Sequence, residues 1–176
     1  MTGIIETERL ILRPPEAADA EPFARMMTDG VARWTGSWKA GITPAEVADK
    51  IAVWLATEAS GGAINRTAVI RDTGEVIGVI GVRRLDDNPA RGAIGYWIGE
   101  AYFGRGYTKE AARAILDAAW NALPVDLIEG VVQLPNTASH AVLKGLGMAY
   151  AGERDEFASA RGRADRCAVY EIKRAP

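Results

Sequence analysis

The residues best suited to chemistry lie between Gly99 and Glu110, where the chain reads Gly-Glu-Ala-Tyr-Phe-Gly-Arg-Gly-Tyr-Thr-Lys-Glu. A β-like run, Ala93 to Gly99, ends there, and Gly104 and Gly106 stand two apart before a helical pattern begins. The first N–H groups of a helix have no partner inside it, so such a turn aims donors outward and suits a pyrophosphate. Glycine lets the backbone approach the anion closely, and Arg105 adds positive charge. Spacing alone fits equally well a plain strand-to-helix turn that needs glycine for its geometry. A Walker loop is excluded because no Gly-Lys-Ser/Thr tripeptide occurs. A dinucleotide fingerprint fails because Lys109 holds the place of its third glycine. Nucleotide hydrolysis and hydride transfer are therefore disfavoured.

Other reactive side chains are few. Cys167 is the single cysteine, so no intramolecular disulfide can form, and its alternating surroundings suit a small core residue. His140 is the single histidine, and neither HxxxH nor CxxC spacing occurs, so no metal is expected.

These residues must be positioned by interleaved strands and helices. Glu8 to Arg13 reads as a first strand stopped by Pro14-Pro15, and Asp19 is placed to cap a helix with Pro22 in its first turn. Thr43-Pro44-Ala45-Glu46 has the form of a capping box opening a second helix with the stripe Val47, Ile51, Trp54 and Leu55. Ile64–Arg71 and Val76–Val82 flank the turn residues Asp72-Thr73-Gly74-Glu75, a hairpin signal. After the 93–99 strand and the glycine loop comes a helix with Ala112, Ile115, Leu116, Ala119 and Trp120 on one face. Leu127–Leu134 is strand-like, Asn136 caps a further helix, and runs at 149–157 and 166–174 close the chain as strands. Tight hairpins beside helical crossovers call for a mixed sheet in an α/β (α+β) domain spanning residues 1–176. At 48% apolar and 25% charged residues with a net charge of −2, the composition is that of a folded domain without the basic excess of a nucleic-acid binder. With no apolar run near the roughly 18 residues of a membrane span and no leader pattern, a cytoplasmic setting without membrane attachment is expected.

Tyr102 to Ala111 resembles the coenzyme A pyrophosphate loop of the GNAT superfamily of N-acetyltransferases, and Asn136 to Met148 is similar to that superfamily's second acetyl-CoA motif. Thr7–Arg13 and Gly162–Tyr170 resemble the two ends of the Rim-type branch, named for ribosomal-protein N-terminal acetyltransferases. The resemblance implies a mostly antiparallel sheet of about seven strands with about four helices, splayed between the fourth and fifth strands. It implies acetyl-CoA as co-substrate, with pantetheine in the splay, Ile98 at the acetyl carbonyl, and the amides of Gly104, Arg105, Gly106, Tyr107 and Thr108 on the pyrophosphate. Asn136 would bind the pantetheine arm and Ser139 would lie near the sulfur.

Many family members carry a tyrosine seven positions after the Asn; Leu143 stands there, and Ser139 is the candidate acid for the departing thiolate. A glutamate common two residues before Gly95-Tyr96 is replaced by Ala93, leaving Glu100, Asp155 and Glu156 as base candidates, with water as the alternative. Ala101 holds a position where Gln or Arg is common, and Met148 replaces a usual Phe. Trp34 and Trp38 lie on the loop that covers the acceptor site in this fold, with Tyr96 as a third substrate candidate; packing onto the core beneath the loop is the competing role for the two tryptophans. The acceptor is expected to be a protein N-terminal α-amine or a small amine such as a polyamine, amino acid or antibiotic. A non-catalytic acetyl-CoA sensor is the alternative that Ala93 and Leu143 prompt. A monomer or homodimer fits either role.

Overall fold

The computed structural model describes residues 3–174. Along them run β1 (Ile5–Glu6), β2 (Leu10–Arg13), α1 (Ala20–Met26), α2 (Asp29–Ala32), α3 (Pro44–Ala59), β3 (Ala63–Ile70) and β4 (Val76–Arg84). They are followed by β5 (Arg91–Ile98), α4 (Tyr107–Ala122), β6 (Leu127–Gln133), α5 (Thr137–Gly145), β7 (Ala149–Ala158) and β8 (Arg163–Lys173). The sheet order is β1-β2-β3-β4-β5-β6-β8-β7. One strand and one helix exceed expectation: β1 folds back on β2, and the four-residue α2 follows α1.

Local signals account for several elements. Thr43 Oγ1 accepts from the Glu46 N–H while the Glu46 carboxylate accepts from the Thr43 N–H, so α3 starts with its first donors satisfied and Pro44 at a position that needs none. Asp19 corrects the expectation for α1. It makes no cap bond there; its buried carboxylate instead accepts from Arg13 Nη2 at 2.6 Å and Thr67 Oγ1 at 2.6 Å, tying β2 and β3 to the start of α1. A full charge inside the core is tolerated only with such partners, and the same carboxylate also accepts from the Glu16 N–H at 2.9 Å, so it serves the turn before α1 rather than α1 itself.

Period-two alternation sends β-strand side chains into two separate cores. Ile80, Val82 and Ile94 pack with Ala112, Ile115, Leu116 and Ala119 of α4 and Leu143 of α5. Val79 and Trp97 pack on the other face with Phe23, Val47 and Ile51 of α1 and α3. Among the described residues the one parallel pair is β5–β6, and it is short. Its register runs from Arg91↔Leu127 to Ile94↔Gly130 and stops, although β5 continues on β4 to Ile98 and β6 continues on β8 to Gln133. The sheet is therefore open between Gly95–Ile98 and Val131–Gln133, at the expected splay.

Candidate active site

The open seam leads into a groove of about 1490 Å³ that passes between the two faces of the sheet. One end is the turn between β5 and α4. Gly104 and Gly106 have φ of +73° and +80°, the left-handed region in which a side chain is strained. Among the described residues, no backbone or side-chain acceptor takes the amides from Gly104 to Lys109, and α4 has no side-chain cap. Six unpaired donors on a left-handed turn at a helix start form a cradle for an anion, so the residues present fit a coenzyme A pyrophosphate.

A long-range clamp holds this turn. Arg9 donates from Nη1 to the Arg105 carbonyl at 2.9 Å and from Nε to Glu110 at 2.7 Å, and Thr7 donates to the same carboxylate at 2.6 Å. Pulling the Arg105 carbonyl toward β2 leaves the neighbouring amides facing the groove. The Arg105 side chain lies over Tyr102, and Tyr107 lies under Arg9, so these two residues bring backbone rather than side chains to the cradle.

At the waist, Asn136 caps α5 by accepting from the Ser139 N–H at 3.2 Å and also lines the groove. Ser139 Oγ and the Tyr96 hydroxyl are 2.7 Å apart. Tyr96 stands on the unpaired end of β5, and burial pushes its phenol up to about 12 against the smaller opposite effect of the Ser139 bond. Two neutral hydroxyls thus meet where the strands part. Ile98, the last residue of β5, also lines the groove. The Tyr96 side chain is thus on the α5 side of β5.

The far end is bordered by the 33–38 loop, α3 and the β7–β8 hairpin. The loop is clasped by Arg161, which donates to the Thr35 carbonyl at 2.5 Å, and by the Ala160 N–H on the Gly36 carbonyl. Trp38 packs onto the core, the competing role weighed for it. It is 6% exposed, with ring centroids 5.0 Å from Trp97 and 5.8 Å from Trp54, and lines the groove from below. Trp34 is half-buried beneath Arg33 and lines the side.

The three carboxylates weighed as bases separate cleanly. Glu100 is turned onto Thr28 and Gly30 and does not line the groove. Asp155 is exposed and pairs with Arg166. Glu156 lines the groove, half-buried, accepting from Arg154 Nε at 2.5 Å.

Sequence reasoning missed Glu129, the charge inside the apolar run Leu127–Val132. It lies beside Ala93 in the β5–β6 register and is buried where the seam closes, accepting from Arg91 at 2.9 Å and from Arg154. Burial pushes this carboxyl up, but the two guanidiniums outweigh that and hold it below the ordinary value. A lowered folded pKa adds stability that is complete above the unfolded value of about 4.3 and is lost as pH falls through the folded one. Glu129→Gln is therefore expected to lower stability by about 1–2 kcal/mol at neutral pH, the partly exposed arginines being rehydrated. It should also flatten the fall of Tm below about pH 4.3. Thermal melts of both proteins from pH 3 to 8 check this; parallel curves would show that the carboxylate contributes nothing.

A family model described as Acetyltransferase (GNAT) domain matches residues 9–149. The chain is 30% identical over 162 residues to the uncharacterized N-acetyltransferase p20 of Bacillus licheniformis, covering 89% of this chain and 88% of that one. Its fold is similar to the ribosomal-protein-S5-alanine acetyltransferase of Vibrio fischeri, with a TM-score of 0.82 at 20% identity over 97% of this chain and 96% of that one. It is also similar to Mycobacterium smegmatis RimJ in complex with CoA-disulfide, with a TM-score of 0.81 at 20% identity over 93% and 81%. The left-handed glycine cradle, the parted β5–β6 seam and the match over residues 9–149 lead to one conclusion: this chain belongs to the GNAT superfamily of acetyltransferases.

Proposed function

We propose that the protein acetylates a primary amine directly from acetyl-CoA in a ternary complex, and that the acceptor is a protein N-terminal α-amine. The carrying observation is the continuous groove, with an anion cradle at one end, the Ser139–Tyr96 hydroxyl pair at its waist and an open mouth at the other. Val53 and Phe157, 63% and 70% exposed, stand on that mouth, which leaves room for a chain to continue outward. The Rim-type likenesses in fold support the same acceptor class.

Bound acetyl-CoA supplies an activated thioester. The chain positions it and manages protons. Amides from Gly104 to Thr108 hold the phosphates, Asn136 and Ile98 flank the seam, and Ser139 Oγ holds a proton for the leaving sulfur. Its partner Tyr96 keeps that hydroxyl oriented and is positioned to return the proton. On the acceptor side Glu156 receives the amine proton through water. A strong base is unnecessary, because an α-amine with a pKa near ~8 is already partly neutral at physiological pH, unlike a lysine near ~10.4.

Free-thiol release over a panel of peptides and small amines tests this. Peptides with a free N-terminus are expected to turn over, and the same peptides N-terminally blocked but carrying lysine are expected to be inert. Turnover confined to polyamines or antibiotics would overturn the acceptor, and no turnover with any amine would leave acetyl-CoA binding without transfer.

A further inference from the structure

The acceptor end of the groove holds two cations whose side chains make no ion pair among the described residues. Lys50 projects from α3 with its ammonium 5.2 Å from the Trp38 ring centroid and donates to the Ser37 carbonyl at 3.0 Å. Among the described residues it has no ion pair; Glu46, one turn back, is taken by Lys39 and by the Thr43 N–H. Arg83, at the end of β4, lines the same groove, and its side chain has neither an ion pair nor a hydrogen bond among the described residues. Between them the floor is low. Gly81 and Gly95 pair across β4–β5, a Cβ on Gly95 would meet nothing within 4 Å, and the Asn65 amide lies over Gly81. On the opposite wall the acids are occupied, Glu156 by Arg154 and Asp165 by Arg161; Asp87 on the outer turn is the lining acid left without a partner. Six basic and four acidic side chains line the groove of a chain whose net charge is −2.

We propose that this end is an anion subsite: the amine acceptor carries a carboxylate near its amine, and Lys50 and Arg83 hold it, with Asn65 as a neutral donor. This rests on the acetyltransferase reading and narrows its substrate class. Withdrawing an ammonium from water is costly, and burial pushes Lys50 down from its ordinary value, an effect that the charge of Glu46 only partly offsets. A bound carboxylate would relieve that cost. The same cations disfavour the protonated form of a neighbouring amine, which helps it reach the nucleophilic state. The carboxylate can be an acidic side chain near a peptide's N-terminus or the α-carboxylate of a free amino acid.

Matched acceptors distinguish these sources: peptide amides with Asp or Asn at the second or third residue, and alanine against alaninamide, each with acetyl-CoA and thiol release as readout. The wild type is expected to show a KM about tenfold lower for the anionic member of the preferred series, equivalent to about 1.4 kcal/mol. Lys50→Met or Arg83→Met should close that gap through KM, Lys50→Arg should keep most of it, and added salt should shrink it. Equal KM values within every matched pair, or a gap that survives both Met variants, would overturn the subsite. Absence of turnover with every amine would count against the transfer reading instead. Calorimetric titration of the same pairs onto the CoA-loaded protein would then decide the subsite, equal Kd values overturning it.

Discussion

Ser139→Ala is expected to lower kcat by about two to three orders of magnitude, the usual contribution of a positioned proton donor, while the affinity for acetyl-CoA changes little. The substitution is mild toward structure. Asn136 caps α5 through the Ser139 backbone N–H, which alanine retains, and alanine is a good helix former. What is lost is the hydroxyl that faces the seam and its 2.7 Å bond to Tyr96. No hydroxyl is available from the position where many relatives carry a tyrosine: Leu143 is 1% exposed and lies on Gly130, where even a Cβ would come within 2.6 Å of it. Tyr96→Phe should cost less, about tenfold, since it removes orientation and proton return rather than the donor itself. Its phenol is neutral throughout the working range, so the variant should not shift the pH dependence of kcat. Steady-state thiol release with a turned-over acceptor, together with a CoA-induced Tm shift, measures both. A Ser139→Ala protein with kcat within threefold of wild type would remove Ser139 from the chemistry.

Sequence made legible what is local or periodic. The Thr43–Glu46 capping box, the Gly74 hairpin, the Gly104–Gly106 turn and the Asn136 cap are each written within a few residues, and all four are found. The resemblance added the seam, which no single strand announces, because it is a failure of two strands to keep pairing. Less visible were partnerships between distant residues. Arg9 and Glu110 lie 101 positions apart, and Glu129 meets Arg91 and Arg154 across two strand crossings. Nothing in the neighbourhood of Asp19 shows that Arg13 and Thr67 will take its carboxylate. Glu129 did leave a mark, since a carboxylate inside Leu-Ile-Glu-Gly-Val-Val requires buried partners. Which of Glu100, Asp155 and Glu156 faces the groove depends on how each strand or turn is set against it, and no local pattern of residues gives that.

Gly106→Val is expected to weaken acetyl-CoA binding about 10- to 100-fold, through the backbone rather than through any lost side chain. Gly106 sits at φ +80° at the start of α4, where an L-residue costs about 1–2 kcal/mol and a β-branched one more. A Cβ there would lie 3.4 Å from Arg9 Nη2, so relaxation would also press on the guanidinium that holds the Arg105 carbonyl. The chain can relieve the strain only by turning peptide planes at the N-terminus of α4, and those planes carry the donors of the cradle. Gly106→Asn, whose side chain tolerates the left-handed region, should retain more affinity than Gly106→Ala. The control is Gly147, which has φ +83° just beyond α5 and open space around its missing Cβ. Gly147→Val imposes similar strain away from the groove, so it should lower Tm without changing the CoA Kd. If both valine variants weaken CoA binding equally, the loss reflects general destabilisation and the cradle assignment fails; if only Gly106→Val does so, unpaired amides at this turn hold the pyrophosphate.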